Sequence, residues 1–370
     1  MSRLDELITE LCPDGVEYNT VSVLIQNHVI KTITPTIKVK RNDYKMEGLT
    51  PIVSQEEEFI SGYCDLVDKN IPMRNYVCFG DHSEHIKFVS FSFIQGADGL
   101  KIMYTNENRL IGKYFYYAVS GFYVRHNNYE RHFKYLTDTA IPVPPLPVQQ
   151  EIVRILDHFT ELTAELTAEL TARKKQYEYY RDLFLSEEAV QNKTLPEISV
   201  NYDRQRKPVT KENRIKGEYP YYGASGIVDY VSDYLFDGDF LLVSEDGANL
   251  LARSTPIAFS ITGKNWVNNH AHVLKFDSFE VRKYVEIYLN SIDLSKYISG
   301  GAQPKLNQDN LNKIQIPLPS QQKMKTIVEI LLRFDSLCND LSSGLPAEIA
   351  ARQKQYEYYR DKLLSFKELK

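Results

Sequence analysis

The sequence predicts a mixed α/β (α+β) fold duplicated along the chain: two α/β globules separated by two long antiparallel coiled-coil helices, related by a pseudo-two-fold. Three observations predict it. Residues 172–186 recur as residues 351–365 with 12 of 15 positions identical, at an offset of 179. Upstream of each copy, apolar side chains return every three or four residues, the step of a helix seam. The remaining segments carry short β-branched and aromatic runs punctuated by Gly, Asn and Asp, as strands and turns do. A length of 370 residues suits about two or three domains.

Residues 1–143 read as the first globule, with strands at Tyr76 to Phe79 and Phe88 to Phe93. Residues 144–188 read as the first long helix, starting after the prolines that follow Ile141. Its seam is Leu156, Phe159, Leu162, Leu166, Leu170, Tyr177 and Tyr180. Within it, Thr-Ala-Glu-Leu units keep Leu162, Leu166 and Leu170 near one face, and each unit adds ~6 Å of helix. Such copies suit a ruler as well as a solvated helix. Residues 189–318 are the second globule, with a strand at Phe240 to Val243 and a helix near Val281 to Leu289. Residues 319–370 are the second long helix, with Leu331, Phe334, Leu337, Tyr356 and Tyr359 on its seam. Gly344 and Pro346 should kink or interrupt it. Tyr179 and Tyr358 point away from the seam and are free for a partner.

Composition excludes several classes. No run approaches the ~18 apolar residues of a membrane span. Cys12, Cys64, Cys78 and Cys338 are far apart, which favours a reducing cytoplasm over a disulfide or zinc framework. A net charge of −5 excludes DNA binding by bulk electrostatics, so any phosphate contact must be local. Phosphate loops, dinucleotide fingerprints, nucleophile elbows and zinc-protease helices are missing from the sequence. His270 and His272 could be two metal ligands on one strand face, but spacing suggests no third. No metal site is expected.

The residues at this point resemble the DNA-specificity subunit of type I restriction–modification systems, over nearly the whole chain. The matching runs begin at Leu11, Gly217, Gly238, Trp266 and Gly301, with Gln149-Gln150, Gln321-Gln322 and the Thr-Ala-Glu-Leu copies. The resemblance implies two target-recognition domains, each reading half of a bipartite, asymmetric DNA site. It implies no catalysis and no cofactor in this chain. Double-stranded DNA, two methyltransferase subunits and two restriction/translocase subunits are the implied partners. Those subunits would use S-adenosylmethionine, ATP and Mg²⁺ to methylate adenine and to restrict, in the cytoplasm and away from any membrane. The alternative is a two-headed helical scaffold that clamps proteins without reading DNA, consistent with the acidic charge and long seams.

Backbone contacts are expected from Lys38, Lys40, Arg41, Arg204, Arg206 and Lys207, where basic residues concentrate. Base reading needs Arg, Lys, Asn or Gln on loops, because those side chains match base-edge donors and acceptors. In the second half the candidates are Tyr221, Tyr222, Ser225, Asn268, Asn269, Gln303, Lys305 and Asn307. In the first they are Arg125, Asn127, Asn128 and Arg131, with His126 beside them and Arg74 and Lys101 as outsiders. Asn-rich turns also bond their own backbone, so the bland reading stands beside each.

Overall fold

The computed structural model describes residues 2–67, 69–186, 191–300 and 303–369. The expected helix-to-globule boundary at 188/189, and Gly301 of the expected DNA loop, lie outside the described residues. The chain forms two compact units, residues 1–167 with 348–370, and residues 168–347.

The first unit opens with α1 (Arg3–Leu11), where Ser2 and Asp5 bond reciprocally as a capping box. It continues through β1 (Tyr18–Thr20), α2 (Val21–Gln26), β2 (Ile30–Ile33), β3 (Thr50–Val53) and β4 (Gly62–Cys64). Then come β5 (Tyr76–Gly80), β6 (Ile86–Val89), β7 (Ile94–Gln95), β8 (Leu100–Thr105) and α3 (Gly112–Phe122). α4 (Phe133–Asp138), β9 (Ala140–Pro142) and the start of α5 (Leu146–Ser186) complete the run. An antiparallel sheet has the order β2-β8-β5-β6, and a smaller one the order β4-β3-β7 with β3 and β7 parallel. Every residue of β5 is buried. Val77 and Phe79 join the core built around α3, whereas Tyr76 and Cys78 join a second core beside Val53. A strand covered on both faces needs this unbroken apolar run, and each large side chain buried there contributes about 1.5–3 kcal/mol.

The second unit repeats the plan. β10 (Gln191–Thr194), α6 (Leu195–Ile198), β11 (Ser199–Asn201), β12 (Lys216–Gly223), β13 (Gly226–Val231) and β14 (Phe236–Asp237) come first. β15 (Phe240–Ser244), α7 (Asn249–Ala252), β16 (Ala258–Ile261), β17 (Lys264–Val267), β18 (Ala271–Phe276) and α8 (Phe279–Ser291) follow. α9 (Gln308–Leu311), β19 (Gln315–Leu318), α10 (Gln321–Asn339) and α11 (Leu345–Leu364) end the chain. The sheet order β11-β18-β15-β16 reproduces that of the first unit, and β13-β12-β17-β14 reproduces β4-β3-β7 with one strand, β14, added at its edge. β15 is again wholly buried, with Leu241 and Val243 in one core and Phe240 and Leu242 in the other. The internal duplication is therefore structural as well as helical.

The long-helix expectation holds for α5, which runs unbroken over 41 residues, about 60 Å. The second helix is corrected to two, α10 and α11, interrupted as Gly344 and Pro346 predict. Asp340 terminates α10; its carboxylate accepts the Ser342 N–H and hydroxyl and the Ser343 hydroxyl, all within 2.7 Å. Those donors hold its carboxyl well below the usual range. Pro346 sits in the first turn of α11, where a missing N–H costs nothing. Of the seam, Leu156 is fully buried and Phe159 stacks on Tyr359 at 5.2 Å. Tyr180 lies 6.1 Å from Phe334, and Tyr177 packs on the core that holds Leu331. Leu162, Leu166 and Leu170 are half-buried. One residue departs from the seam, Leu337, which is exposed; Tyr356 packs on the core that holds Leu156 and also meets Tyr117 of α3, 6.4 Å between ring centroids. Tyr179 and Tyr358 do point outward, 64% and 62% exposed.

Candidate nucleic-acid interface

Backbone register makes the two heads directly comparable. Asp81 N–H donates to the Gly99 carbonyl, and the Asp81 carbonyl accepts the His132 N–H. Glu245 does the same with His270 and Leu306. Val39 N–H reaches the Gln95 carbonyl, as Lys207 N–H reaches that of Val267. Lys38 thus corresponds to Arg206, Asp81 to Glu245, Lys101 to His272 and Arg131 to Lys305. One edge of each head carries three basic residues beside a carboxylate.

In the first head, Lys38, Lys101 and Arg131 line an open cleft of about 410 Å³ with Asp81 and Asp98. Asp81 is buried; its Oδ1 accepts the Phe133 N–H at 2.9 Å and its Oδ2 lies 3.3 Å from Lys101 Nζ. Lys38 Nζ meets Asp98 at 2.5 Å. Arg131 is exposed and has no ion pair among the described residues. Three cations against two carboxylates leave this cleft positive on a chain that is acidic overall. That is the local concentration phosphate contact demands.

In the second head the cations are organised by a buried network. Asp203 Oδ2 lies 2.5 Å from His272 Nδ1, and Asp203 Oδ1 accepts the Val273 N–H at 2.8 Å. His272 Nε2 is 2.8 Å from the Leu306 carbonyl. Both ring nitrogens are thus held by oxygens of the network. Arg206 donates to Glu245 and to the Ala271 carbonyl, each at 2.7 Å, and Lys305 Nζ lies 3.2 Å from Glu245. Burial raises the carboxyl pKa of Asp203, but the His272 bond and charge, the Val273 N–H and Arg206 outweigh it and hold it low. Glu245 is likewise held low, with Arg206, His272 and Lys305 overcoming its burial. Lys305 stays half exposed above this network, so its ammonium is anchored yet reachable.

The remaining nominated residues divide clearly. Lys40, Arg125, Arg204, Lys207, Ser225, Asn269 and Gln303 are exposed, as are Asn128, bonded to Glu130, and Arg41, ion-paired with Glu56 at 3.2 Å. Asn127 is exposed, but its N–H is held by Glu84. Five others are corrected. Tyr221 is 1% exposed on strand β12, its hydroxyl 3.0 Å from the Val209 N–H, so it braces the fold rather than a loop. Tyr222, on the same strand, is half-buried against Phe259. Asn268 is buried and accepts the His270 N–H within its own turn. Asn307 caps α9 by accepting the Asn310 N–H at 2.9 Å. Arg206 is mostly buried and orders Glu245. Asp203 and Glu245 escaped the sequence reading, and Asp81 reads there only as part of a polar loop beside His82; their pairing with distant cations marks them, and that pairing has no sequence period. Arg74, an outsider, lies over the Tyr104 ring.

The family model described as "Type I restriction modification DNA specificity domain" matches twice, at residues 28–173 and 187–351. The chain is similar to the EcoR124I/EcoR124II specificity subunit of Escherichia coli, 32% identical over 405 aligned residues, covering 99% of this chain and 97% of that one. It is 37% identical to the EcoprrI specificity subunit of the same organism over 214 residues, 54% of this chain and 52% of that one. Among solved structures, the type I restriction–modification S subunit of M. genitalium superposes with a TM-score of 0.61 at 16% identity. It covers 95% of this chain and 96% of that one.

Proposed function

Because the chain belongs to the type I restriction–modification DNA specificity family, we propose that it reads a bipartite, asymmetric DNA site for a methyltransferase and restriction complex. The observation that carries this reading is the register match between heads. Arg131 and Lys305 stand at one position of one topology, at an edge that also carries Asp81 in one head and Glu245 in the other, on surfaces whose other residues differ. Two equivalent edges with unlike side chains suit two unlike half-sites. On this reading residues 1–143 and 189–318 are the target-recognition domains, and residues 144–188 and 319–370 the spacers between them. The chain itself is non-catalytic and needs no cofactor. Two methyltransferase subunits and two restriction/translocase subunits supply S-adenosylmethionine, ATP and Mg²⁺ chemistry in the cytoplasm. No helix of the described residues is long and apolar enough to cross a membrane.

The purified chain, incubated with DNA, S-adenosylmethionine, ATP and Mg²⁺, is expected to be inert, and to direct site-specific adenine methylation once a cognate methyltransferase subunit is added. Turnover that co-elutes with the chain alone on a sizing column would contradict the assignment.

A further inference from the structure

The loop after α3 is tied to the β5–β6 turn through one carboxylate. Glu84 is 3% exposed. Its Oε1 accepts the Asn127 N–H at 2.8 Å, and its Oε2 accepts the Tyr123 hydroxyl at 2.5 Å and the His126 N–H at 2.9 Å. Glu84 and Asn127 both adopt left-handed backbone, with φ of 58° and 54°. Such residues are uncommon outside glycine and persist only where surroundings impose them.

Two imidazoles converge on the same oxygen. Nδ1 of His126 and Nδ1 of His132 each lie 3.6 Å from Glu84 Oε2, and the three atoms lie within 4.8 Å of one another. His132 is fully buried, and its Nε2 sits 2.9 Å from the Asn128 carbonyl, so Nε2 carries a hydrogen. In the neutral ring Nδ1 is then a bare lone pair, buried and without a hydrogen-bond partner. A lone pair facing a carboxylate is unfavourable unless something positive lies between them. A proton fits poorly, because 3.6 Å exceeds hydrogen-bond range. The two 3.6 Å separations suit a metal ion. Ligand atoms at ~2.0–2.1 Å around a tetrahedral zinc stand about 3.4 Å apart.

We propose that His126 Nδ1, His132 Nδ1 and Glu84 Oε2 bind a divalent transition-metal ion of the zinc class, which locks residues 124–132 to the β5–β6 turn. The supporting shell is in place. The Asn128 carbonyl fixes the His132 tautomer, the Tyr123 hydroxyl and backbone N–H groups orient Glu84, and Tyr135 stacks on the His126 ring at 3.9 Å. His126 is exposed, leaving the fourth position to solvent. A donor set of two imidazoles and one carboxylate selects zinc, cobalt or nickel over magnesium or calcium. The second His–carboxylate cluster, Asp203, Glu245 and His272, differs in kind. Both His272 nitrogens are bonded, and Arg206 and Lys305 supply the positive charge.

The inference does not depend on the DNA-reading role, and its test needs no DNA. The full chain, stripped with chelator, is titrated with Zn²⁺ against a chromophoric competitor and with Co²⁺ by visible absorption, and amide exchange of residues 124–132 is followed. One equivalent of tight binding and slower exchange in that loop are expected. His132→Gln keeps a donor for the Asn128 carbonyl but removes Nδ1; His126→Ala alters an exposed ligand. Each should weaken binding by more than ~100-fold, beyond the usual effect of disturbing a supporting residue, while His270→Ala leaves it unchanged. Equal affinity in wild type and the His126→Ala variant would overturn the proposal, as would wild-type exchange that ignores zinc. Should His132→Gln melt out, His126→Ala decides alone.

Discussion

Lys305 and Arg131 share one register position, yet their surroundings differ: Glu245 anchors Lys305 at 3.2 Å, whereas Arg131 stands exposed at a cleft rim. Lys305→Ala in the reconstituted complex should therefore weaken binding of one half-site by ~1–3 kcal/mol and relax base choice there only. Competition binding against oligonucleotides altered in either half-site measures it. Beneath Lys305, Asp203 is a structural anion. Asp203→Asn removes the carboxylate that holds His272 and leaves Arg206 short of a counter-charge, so the second unit should lose roughly 3–5 kcal/mol at pH 7. Trp266, the single tryptophan, lies in that unit and reports its urea unfolding. The sign with pH follows from the lowered carboxyl pKa of Asp203. Its stabilisation is present above the ordinary value of 3.8 and is lost as pH falls toward the folded-state value. Wild type should thus lose more stability than Asp203→Asn between neutral pH and pH 3. Residue type and loop position led the sequence to Lys38, Arg131 and Lys305, which the fold leaves exposed. The same cues misled at Tyr221, Asn268 and Asn307, because their partners Val209, His270 and Asn310 become neighbours of the right polar atoms only through the fold.

Periodicity made the helices legible at the element scale, since the three-and-four step from Leu156 to Tyr180 lies within the one unbroken helix α5. Pro346 announced the α10–α11 break, but the asparagine-to-glycine turn that realises it depends on Asp340 and its serines. Period alone did not announce that Tyr356, on the expected face, also meets Tyr117 of a head helix. The threonines of the repeated units bond back along α5, Thr163 to the Phe159 carbonyl and Thr167 to that of Thr163. Each unit is thereby a self-contained turn that can be copied without new partners. One more Thr-Ala-Glu-Leu unit after Leu170 should lengthen the helix by ~6 Å and rotate the seam by only ~40°. At ~3.4 Å per base pair, the nonspecific spacer should grow by one or two base pairs with both half-sites intact. Sequencing the methylated sites of a host carrying the insertion checks this; a fixed spacer would end the ruler reading.

At the scale of the molecule, the duplication was legible because the helical copies are nearly identical, while the shared topology of the heads was not. Their sheets match in order although few side chains do, since a pleated core tolerates any apolar residues of suitable size. Residues 348–370 also fold into the first unit, where Val16 N–H donates to the Lys367 carbonyl at 2.8 Å and Leu369 N–H to the Val16 carbonyl at 3.0 Å. Contacts that distant in sequence carry no local signal. The central claim is that two unlike heads on one scaffold each read part of one DNA site. Methylation-sensitive genome sequencing of the host, with and without this gene, tests it most directly. The account predicts a methylated motif of two unlike specified parts around a fixed unspecified spacer, absent when the gene is deleted. Genome methylation that is unchanged by the deletion would contradict it.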